Sequence, residues 1–299
     1  MSVTRIVFMG TPRYAAAILR DLDASGEIGV ELVVTQMDRP AGRKLILAPP
    51  PVKIAALEAG IPCLQPEKVG ETAGAIARIK PDLIVVAAYG QILTNAILEI
   101  APCWNLHASL LPKYRGASPI QAALLNGETW SGLTLMEMTK SLDAGDLIAF
   151  YQVALKGHST QTLTDALAQN GARLLLYALR NRDRLRPLPQ ARCDASYVGR
   201  FNRADTIASF DQSAIHLERL LAAYGSVMLK SGLKLLDLET VEGRGAAIGA
   251  IAEITQEGVI VSCKEGAALV KTVQAPSKKA VNAADYINGK RLGVGDLLS

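Results

Sequence analysis

Between Asp82 and Ala88 the chain reads Asp-Leu-Ile-Val-Val-Ala-Ala, with no polar side chain after the first. A strand apolar on both faces must be covered on both faces. That is the signature of a central strand in a parallel sheet, with helices above and below. Arg5-Ile6-Val7-Phe8-Met9 and Leu32-Val33-Val34 repeat the pattern. Gly10-Thr11-Pro12 turns the first of them into a helix, with Thr11 as its expected N-cap and Pro12 at its first position. The expected class is α/β. With 299 residues, 49% of them hydrophobic, the chain suffices for two domains. Gly-x-Gly-x-x-Gly is absent, as is a phosphate loop ending in Gly-Lys-Ser/Thr, so neither nucleotide-binding fingerprint applies.

The stretch Trp104 to Gly127 carries the chemistry. If Cys103 to His107 is a strand, Asn105 and His107 leave the same face. Ser109-Leu110-Leu111-Pro112 is too short and proline-bound for a regular element. Ser118-Pro119 then opens a helix that Gly127 closes. An amide and an imidazole at the carboxyl end of a strand stand where open α/β sheets bind ligands. Tyr89-Gly90 ends the Asp82–Ala88 strand at the same edge. Leu133 to Met138 alternates and reads as a strand nearer the sheet edge, leading into Ser141-Leu142-Asp143-Ala144-Gly145-Asp146. Ile148 to Leu155 is a further strand, and Thr162 to about Arg184 an amphipathic helix. An Asn105–His107–Asp143 set suits acyl transfer to an amine: the carboxylate orients and charges the imidazole, and imidazole and amide face the oxygen where negative charge develops. No serine or cysteine is placed as a nucleophile, so direct attack by the acceptor is the economical route.

Charge is uneven along the chain, although the total is only +4. Residues 36–53 hold Arg39, Arg43, Lys44 and Lys53 against Asp38, a basic loop suited either to solvent or to phosphates. Arginines 180, 182, 184, 186, 192, 200 and 203 crowd a proline-broken stretch that reads as an extended linker. Residues 206–299 hold ten basic and ten acidic side chains and are neutral. There the pattern is a helix from Ser213 to Tyr224, then short β runs at Val227–Leu229, Leu233–Leu238, Ile248–Ile254, Val259–Ser262 and Leu269–Val273. A short helix near Ala283–Asn288 follows. Five short strands with glycine-rich turns suggest a small closed barrel of the oligonucleotide-binding (OB) kind. Cys63, Cys103, Cys193 and Cys263 are far apart, with no Cys/His cluster, so no metal is expected and reduced cytoplasmic thiols are the simplest reading. No stretch approaches the roughly 20 apolar residues that span a bilayer.

Asn105 to Gly116, Asn-Leu-His-Ala-Ser-Leu-Leu-Pro-Lys-Tyr-Arg-Gly, resembles the signature of the folate-dependent formyltransferases. Gly10-Thr11-Pro12, Asp38 to Arg43, Ala88-Tyr89-Gly90, Ser118 to Gln121, Leu142 to Asp146, Pro276 to Lys279 and Asn288 to Arg291 match in order. Over its whole length the chain is similar to the methionyl-tRNA formyltransferase family. The resemblance implies a Rossmann-like formyltransferase domain (1–189), a linker (190–205) and an OB-like β-barrel domain (206–299) that helps hold tRNA. It implies formyl transfer from 10-formyltetrahydrofolate to methionyl initiator tRNA by a cytoplasmic, monomeric, metal-free enzyme. Asn105, His107 and Asp143 become the catalytic set. Ser109, Leu110, Leu111 and Pro112 become the loop beside the pteridine, opposite Tyr89 and Gly90. Arg43, with Arg39 and Lys44, becomes the group that reaches the acceptor stem.

Four features depart from the family pattern. Ala108 stands in place of the usual glycine, and Thr139 and Ser141 replace aspartate and glycine. The loop after Arg43 is shorter and less basic, and the proline-tryptophan-proline near Tyr224 is missing. Two other readings share the signature: a sugar-nucleotide N-formyltransferase, and a tRNA-binding protein that has lost its activity.

Overall fold

The computed structural model describes residues 3–42, 45–191, 193–243 and 245–298, without the side chains of Ala41 and Arg203. Two compact units emerge. One comprises Met1–Pro119, Trp130–Ala154 and Leu163–Val198; the other comprises Ile120–Thr129, Leu155–Thr162 and Gly199–Ser299.

The strands of the first unit are β1 (Thr4–Gly10), β2 (Ile28–Val34), β3 (Arg39–Ala41), β4 (Ile46–Ala48), β5 (Cys63–Leu64), β6 (Leu83–Ala87), β7 (Cys103–His107), β8 (Arg115–Gly116), β9 (Trp130–Glu137), β10 (Leu147–Ala154) and β11 (Tyr197–Val198). Seven of them form one sheet in the order β10-β9-β7-β6-β1-β2-β5. From β7 to β5 every pairing is parallel, and β9 runs antiparallel to both its neighbours. The apolar run of β6 lies between β1 and β7 and is wholly buried. On one face Val7, Met9, Val34, Ile84 and Val86 pack with Ile76, Leu93 and Ile97. Each such side chain contributes about 1.5–3 kcal/mol on burial. Helix α1 (Arg13–Ala24) buries Tyr14, Ala15, Ile18, Leu19 and Leu22. Ile18 lies against Gly171 of helix α2 (Thr160–Arg180), where an added Cβ would stand 2.6 Å from its Cδ1.

Several local expectations are corrected. Helix α1 is capped by Pro12, not Thr11, because the Thr11 hydroxyl donates to the Tyr89 carbonyl at 2.7 Å and ties two strand ends together. The basic loop is partly a hairpin, β3 pairing with β4. Lys53 is not a free cation: it bonds both carboxylate oxygens of Asp38 at 2.9 Å. Gln65 and Lys53 together hold the Asp38 carboxyl below its ordinary range. Helix α2 ends at Arg180, not Arg184. Strand β9 is second from the edge but buried along nearly all its length, since Ser131 and Thr134 are buried too. The arginine-rich stretch is no free tether. Leu188 exchanges backbone hydrogen bonds with Leu147, and β11 pairs with β8.

The second unit holds helix α3 (Ala214–Tyr224), capped by Ser213 and ended by Gly225 at φ 74°. Its strands are β12 (Ile207–Ala208), β13 (Val227–Leu229), β14 (Lys234–Val241), β15 (Ile251–Ile254), β16 (Val259–Ser262), β17 (Ala267–Gln274) and β18 (Val281–Asn282), before helix α4 (Ala283–Lys290). Leu217, Leu220, Leu235, Val261, Val270, Val273 and Ile287 share its core. The sheet runs β12-β13-β14-β17-β16-β15, with β18 beside β17. The expected closed barrel is not established, because no pair among the described residues joins β12 to β15.

All four cysteines are free. Burial pushes the Cys103 thiol up to about 12 and that of Cys263 to about 11. Burial also raises Cys63, which is half-buried, while Cys193 is exposed. Alkylation follows thiolate fraction and access. Iodoacetamide at neutral pH should therefore modify Cys193 first and Cys63 slowly, sparing Cys103 and Cys263 until the protein unfolds. Peptide mass mapping reads the order, and early labelling of Cys103 would contradict the packing of β7.

Candidate active site

Strand β7 is short, parallel to β6 and antiparallel to β9. Its two-residue period turns Asn105 and His107 to one face, and both are buried, with 9% and 6% of their surface exposed. Asp143 lies 38 residues away in sequence from Asn105, on the turn between β9 and β10, yet the three side chains meet. Asp143 Oδ2 stands 3.7 Å from His107 Nδ1, and Asn105 Nδ2 donates to Asp143 Oδ1 at 3.4 Å. Gly116 N donates to Asp143 Oδ2 at 2.8 Å. His107 Nε2 lies 2.9 Å from the Tyr114 carbonyl oxygen. A carbonyl only accepts, so Nε2 carries a proton, and Nδ1 is the nitrogen turned to Asp143.

The turn holding Asp143 is pinned from below. Glu137 N donates to Asp146 O at 2.9 Å. Gly145 crosses so close to β9 that an added Cβ would stand 1.8 Å from Glu137 O. Asp143 itself is held at φ 47°, in the left-handed region. Gln190 Nε2 donates to Asp143 O at 3.0 Å and to Gly145 O at 2.7 Å.

The loop after β7 is equally determined. Ser109 Oγ donates to Lys113 O at 2.6 Å. Thr134, the β9 partner of His107, donates to Ser109 O at 2.6 Å and accepts from Leu111 N at 3.1 Å. Ser109 and Leu111 are buried, whereas Leu110 and Pro112 are half-buried. At the neighbouring strand end Tyr89 is buried and Gly90 exposed at φ 94°. Gln36 Nε2, 4.0 Å from where a Cβ on Gly90 would stand, is buried and has no partner among the described residues. Burial pushes the Tyr89 phenol up to about 12, and its hydroxyl likewise has no partner among them. The Ser109–Pro112 and Tyr89–Gly90 segments follow adjacent parallel strands at their carboxyl ends, as expected.

Among the residues expected to meet tRNA, Arg39 is exposed and Nη2 bonds Gln36 Oε1 at 3.3 Å. Arg43 and Lys44 lie outside the described residues. In the arginine-rich stretch, Arg180 pairs with Glu27, Arg182 stacks 5.6 Å from the Trp104 ring centroid, and Arg186 donates to the Asp183 and Leu185 carbonyls. Sequence reasoning missed Thr134, Gln190, Ser196, whose Oγ accepts from Tyr114 N at 2.8 Å, and Arg115, which donates to Gln190 Oε1. Their contacts span long sequence separations and carry no local signal. Among the described residues, no group of three or more His, Cys, Asp or Glu is arranged for a metal, and no helix is long and apolar enough to cross a membrane.

Known proteins match this architecture. The family described as "Formyl transferase" matches residues 4–179, and "Formyl transferase, C-terminal domain" matches 200–291. The methionyl-tRNA formyltransferase of Wolinella succinogenes is 43% identical over 302 residues, covering 98% of this chain and 99% of that protein. Two solved structures share the fold. HypX from Aquifex aeolicus, crystallised with tetrahydrofolic acid, has a TM-score of 0.64 at 17% identity; the alignment covers 98% of this chain and 48% of HypX. This chain thus spans about half the length of HypX. The sugar 3N-formyl transferase WlaRD, crystallised with dTDP and 5-N-formyl-THF, has a TM-score of 0.65 at 17% identity, covering 93% of this chain and all of WlaRD. At 17% identity these two speak for the fold alone, whereas 43% identity along the full length speaks for descent. This chain belongs to the methionyl-tRNA formyltransferase family.

Proposed function

We propose that this protein transfers a formyl group from 10-formyltetrahydrofolate to the amino group of methionyl initiator tRNA. The observation that carries the reading is the convergence of Asn105, His107 and Asp143 at the carboxyl edge of the sheet, from stretches 38 residues apart. The new bond joins the amine nitrogen to the formyl carbon, the bond that breaks joins that carbon to N10 of the donor, and the amine's proton ends on N10. Asn105, one amide N–H of which is given to Asp143 Oδ1, offers the other to the oxygen where negative charge develops. The Nε2 proton of His107 is committed to the Tyr114 carbonyl, so donation to that oxygen comes from Nδ1–H of the charged ring. The Asp143 carboxylate stands 3.7 Å from Nδ1, orients the ring and is itself held by Gly116 N. Asp143 is also the carboxylate on which the attacking amine's proton can rest.

The donor's flat polar ring suits the crevice between Tyr89-Gly90 and Ser109-Leu110-Leu111-Pro112. Gly90 leaves its Cα face open, and the Gln36 amide N–H group, with no partner among the described residues, is a ready donor beside it. The tRNA contacts we assign to Arg43, Arg39 and Lys44, with Arg184 and Arg186 as supporting phosphate ligands. The neutral charge of residues 206–299 favours this division.

The test is formyl transfer to charged initiator tRNA, run beside dTDP-amino sugars, over a salt series. Transfer to the tRNA and not to the sugars is expected, and the reverse selectivity would overturn the reading. Arg43→Ala should lower both turnover at saturating tRNA and affinity, turnover by about 10²-fold, because a misplaced acceptor end reacts slowly. Arg184→Ala with Arg186→Ala should weaken binding and flatten the salt dependence by close to one unit per lost phosphate contact, with turnover little changed. A full salt slope in that double variant would remove the arginine-rich stretch from the interface.

A further inference from the structure

We infer that Gln190 is a positioning residue for formyl transfer, its side-chain amide holding the main chain around Asp143 at the distance His107 requires. The inference rests on the role proposed above for Asp143.

Arg115 is 6% exposed, and no carboxylate among the described residues pairs with it. A guanidinium so placed must find acceptors, because it can neither lose its proton nor remain unpaired without cost. It finds two. Gln190 Oε1 accepts from Nε at 3.0 Å and from Nη2 at 2.7 Å, and Tyr197 Oη accepts from Nη1 at 2.8 Å. The Tyr197 ring also lies 5.5 Å from the guanidinium carbon. The guanidinium only donates, so it fixes which end of the Gln190 amide is oxygen. The NH2 group must then face the Asp143 and Gly145 carbonyls, 3.0 Å and 2.7 Å away. Two N–H donors and two lone pairs are all engaged.

Asp143 is thereby gripped from two sides. Gln190 holds its main chain, which sits at φ 47° and needs outside support. Gly116, next after Arg115, holds its carboxylate. The Arg115–Gln190 bonds join the two grips. A shift of Gln190 therefore changes the Asp143–His107 separation while touching neither side chain.

A plainer role is that Gln190 merely satisfies a buried arginine. Gln190→Glu separates the two. It keeps the acceptor for Arg115 and adds a countercharge, but it removes both N–H donors and sets a carboxylate against two carbonyl oxygens. If Gln190 positions Asp143, Gln190→Glu lowers kcat by about 10- to 100-fold, with the KM for methionyl-tRNA changed by less than about threefold. In an Asp143→Asn background the same change should cost less than about threefold more, because the two residues act as one unit. Gln190→Met, which lacks both functions at similar volume, should lower kcat alike and provides the reading if the glutamate variant does not fold. Wild-type kcat in Gln190→Glu, or losses that simply multiply in the double variant, would overturn the inference and leave the proposed function standing. A wild-type protein that transfers no formyl group to methionyl-tRNA would overturn both.

Discussion

His107→Ala should lower formyl-transfer turnover by about 10²–10³-fold at saturating substrates, while the protein still unfolds in one cooperative transition. Losing one donor to a developing oxyanion typically costs that much. The imidazole faces Asp143 Oδ2 with Nδ1 at 3.7 Å, and its Nε2 is already tied to the Tyr114 carbonyl. Alanine therefore removes that donor and its hydrogen bond to the Tyr114 carbonyl, and opens a small buried space. Stability should fall by about 1–3 kcal/mol on that account. Asn105→Ala should cost turnover on the same order, since Asn105 is the second donor proposed above. Single-turnover kinetics with charged initiator tRNA, beside a thermal melt, separates chemistry from folding. A His107→Ala protein with near-normal turnover would remove the imidazole from the reacting set.

Gly116→Ala is expected to be nearly as damaging, although the residue touches no substrate. Its backbone sits at φ 112°, and an added Cβ would stand 2.2 Å from the Val198 carbonyl oxygen. Both facts exclude a side chain: the conformation is strained for an L-residue, and the clash is with backbone that cannot swing aside. The β8–β11 pair must part, and the amide that bonds Asp143 Oδ2 at 2.8 Å goes with it. A misplacement of about 1 Å can cost on the order of 10² in rate, so kcat should fall about that far, with a lowered melting temperature. Gly199→Ala is the control, because its methyl would meet nothing within 4 Å. Equal behaviour of the two variants would mean that β8–β11 pairing does not set the position of Asp143.

These expectations rest on two kinds of information. Local pattern sufficed for the sheet and its helices. The uninterrupted apolar run of β6 could only be a covered strand, and Cys103–His107 emerged as a strand with its two polar side chains on one face. In the second unit the Ser213 cap, Gly225, and strands Val227–Leu229 and Val259–Ser262 stand where turn chemistry and β-branched runs put them. Such signals act over a few residues, and a sequence displays them directly. Asn105, His107 and Asp143 were legible too, as polar residues at strand ends joined by a known signature.

What escaped is what long-range contacts decide. Thr11 looks like a cap, but the Tyr89 carbonyl, 78 residues on, takes its hydroxyl. Lys53 counts as a free positive charge until Asp38 is found 2.9 Å away. Closure of the second sheet depends on whether its outer strands pair, and strand number alone does not decide that. Gln190 lies in a stretch whose prolines and arginines suggest a tether. Its amide has meaning only because Arg115, 75 residues earlier, is buried with no carboxylate partner among the described residues and needs an acceptor there. By itself the sequence determined the central strands of the sheet, the Ser213 cap and which polar side chains stand at the strand ends, because these follow from periodicity and residue chemistry. Only the tertiary structure decided which hydrogen-bond partners each buried polar group takes, because those partners come from wherever the folded chain brings a donor to an acceptor.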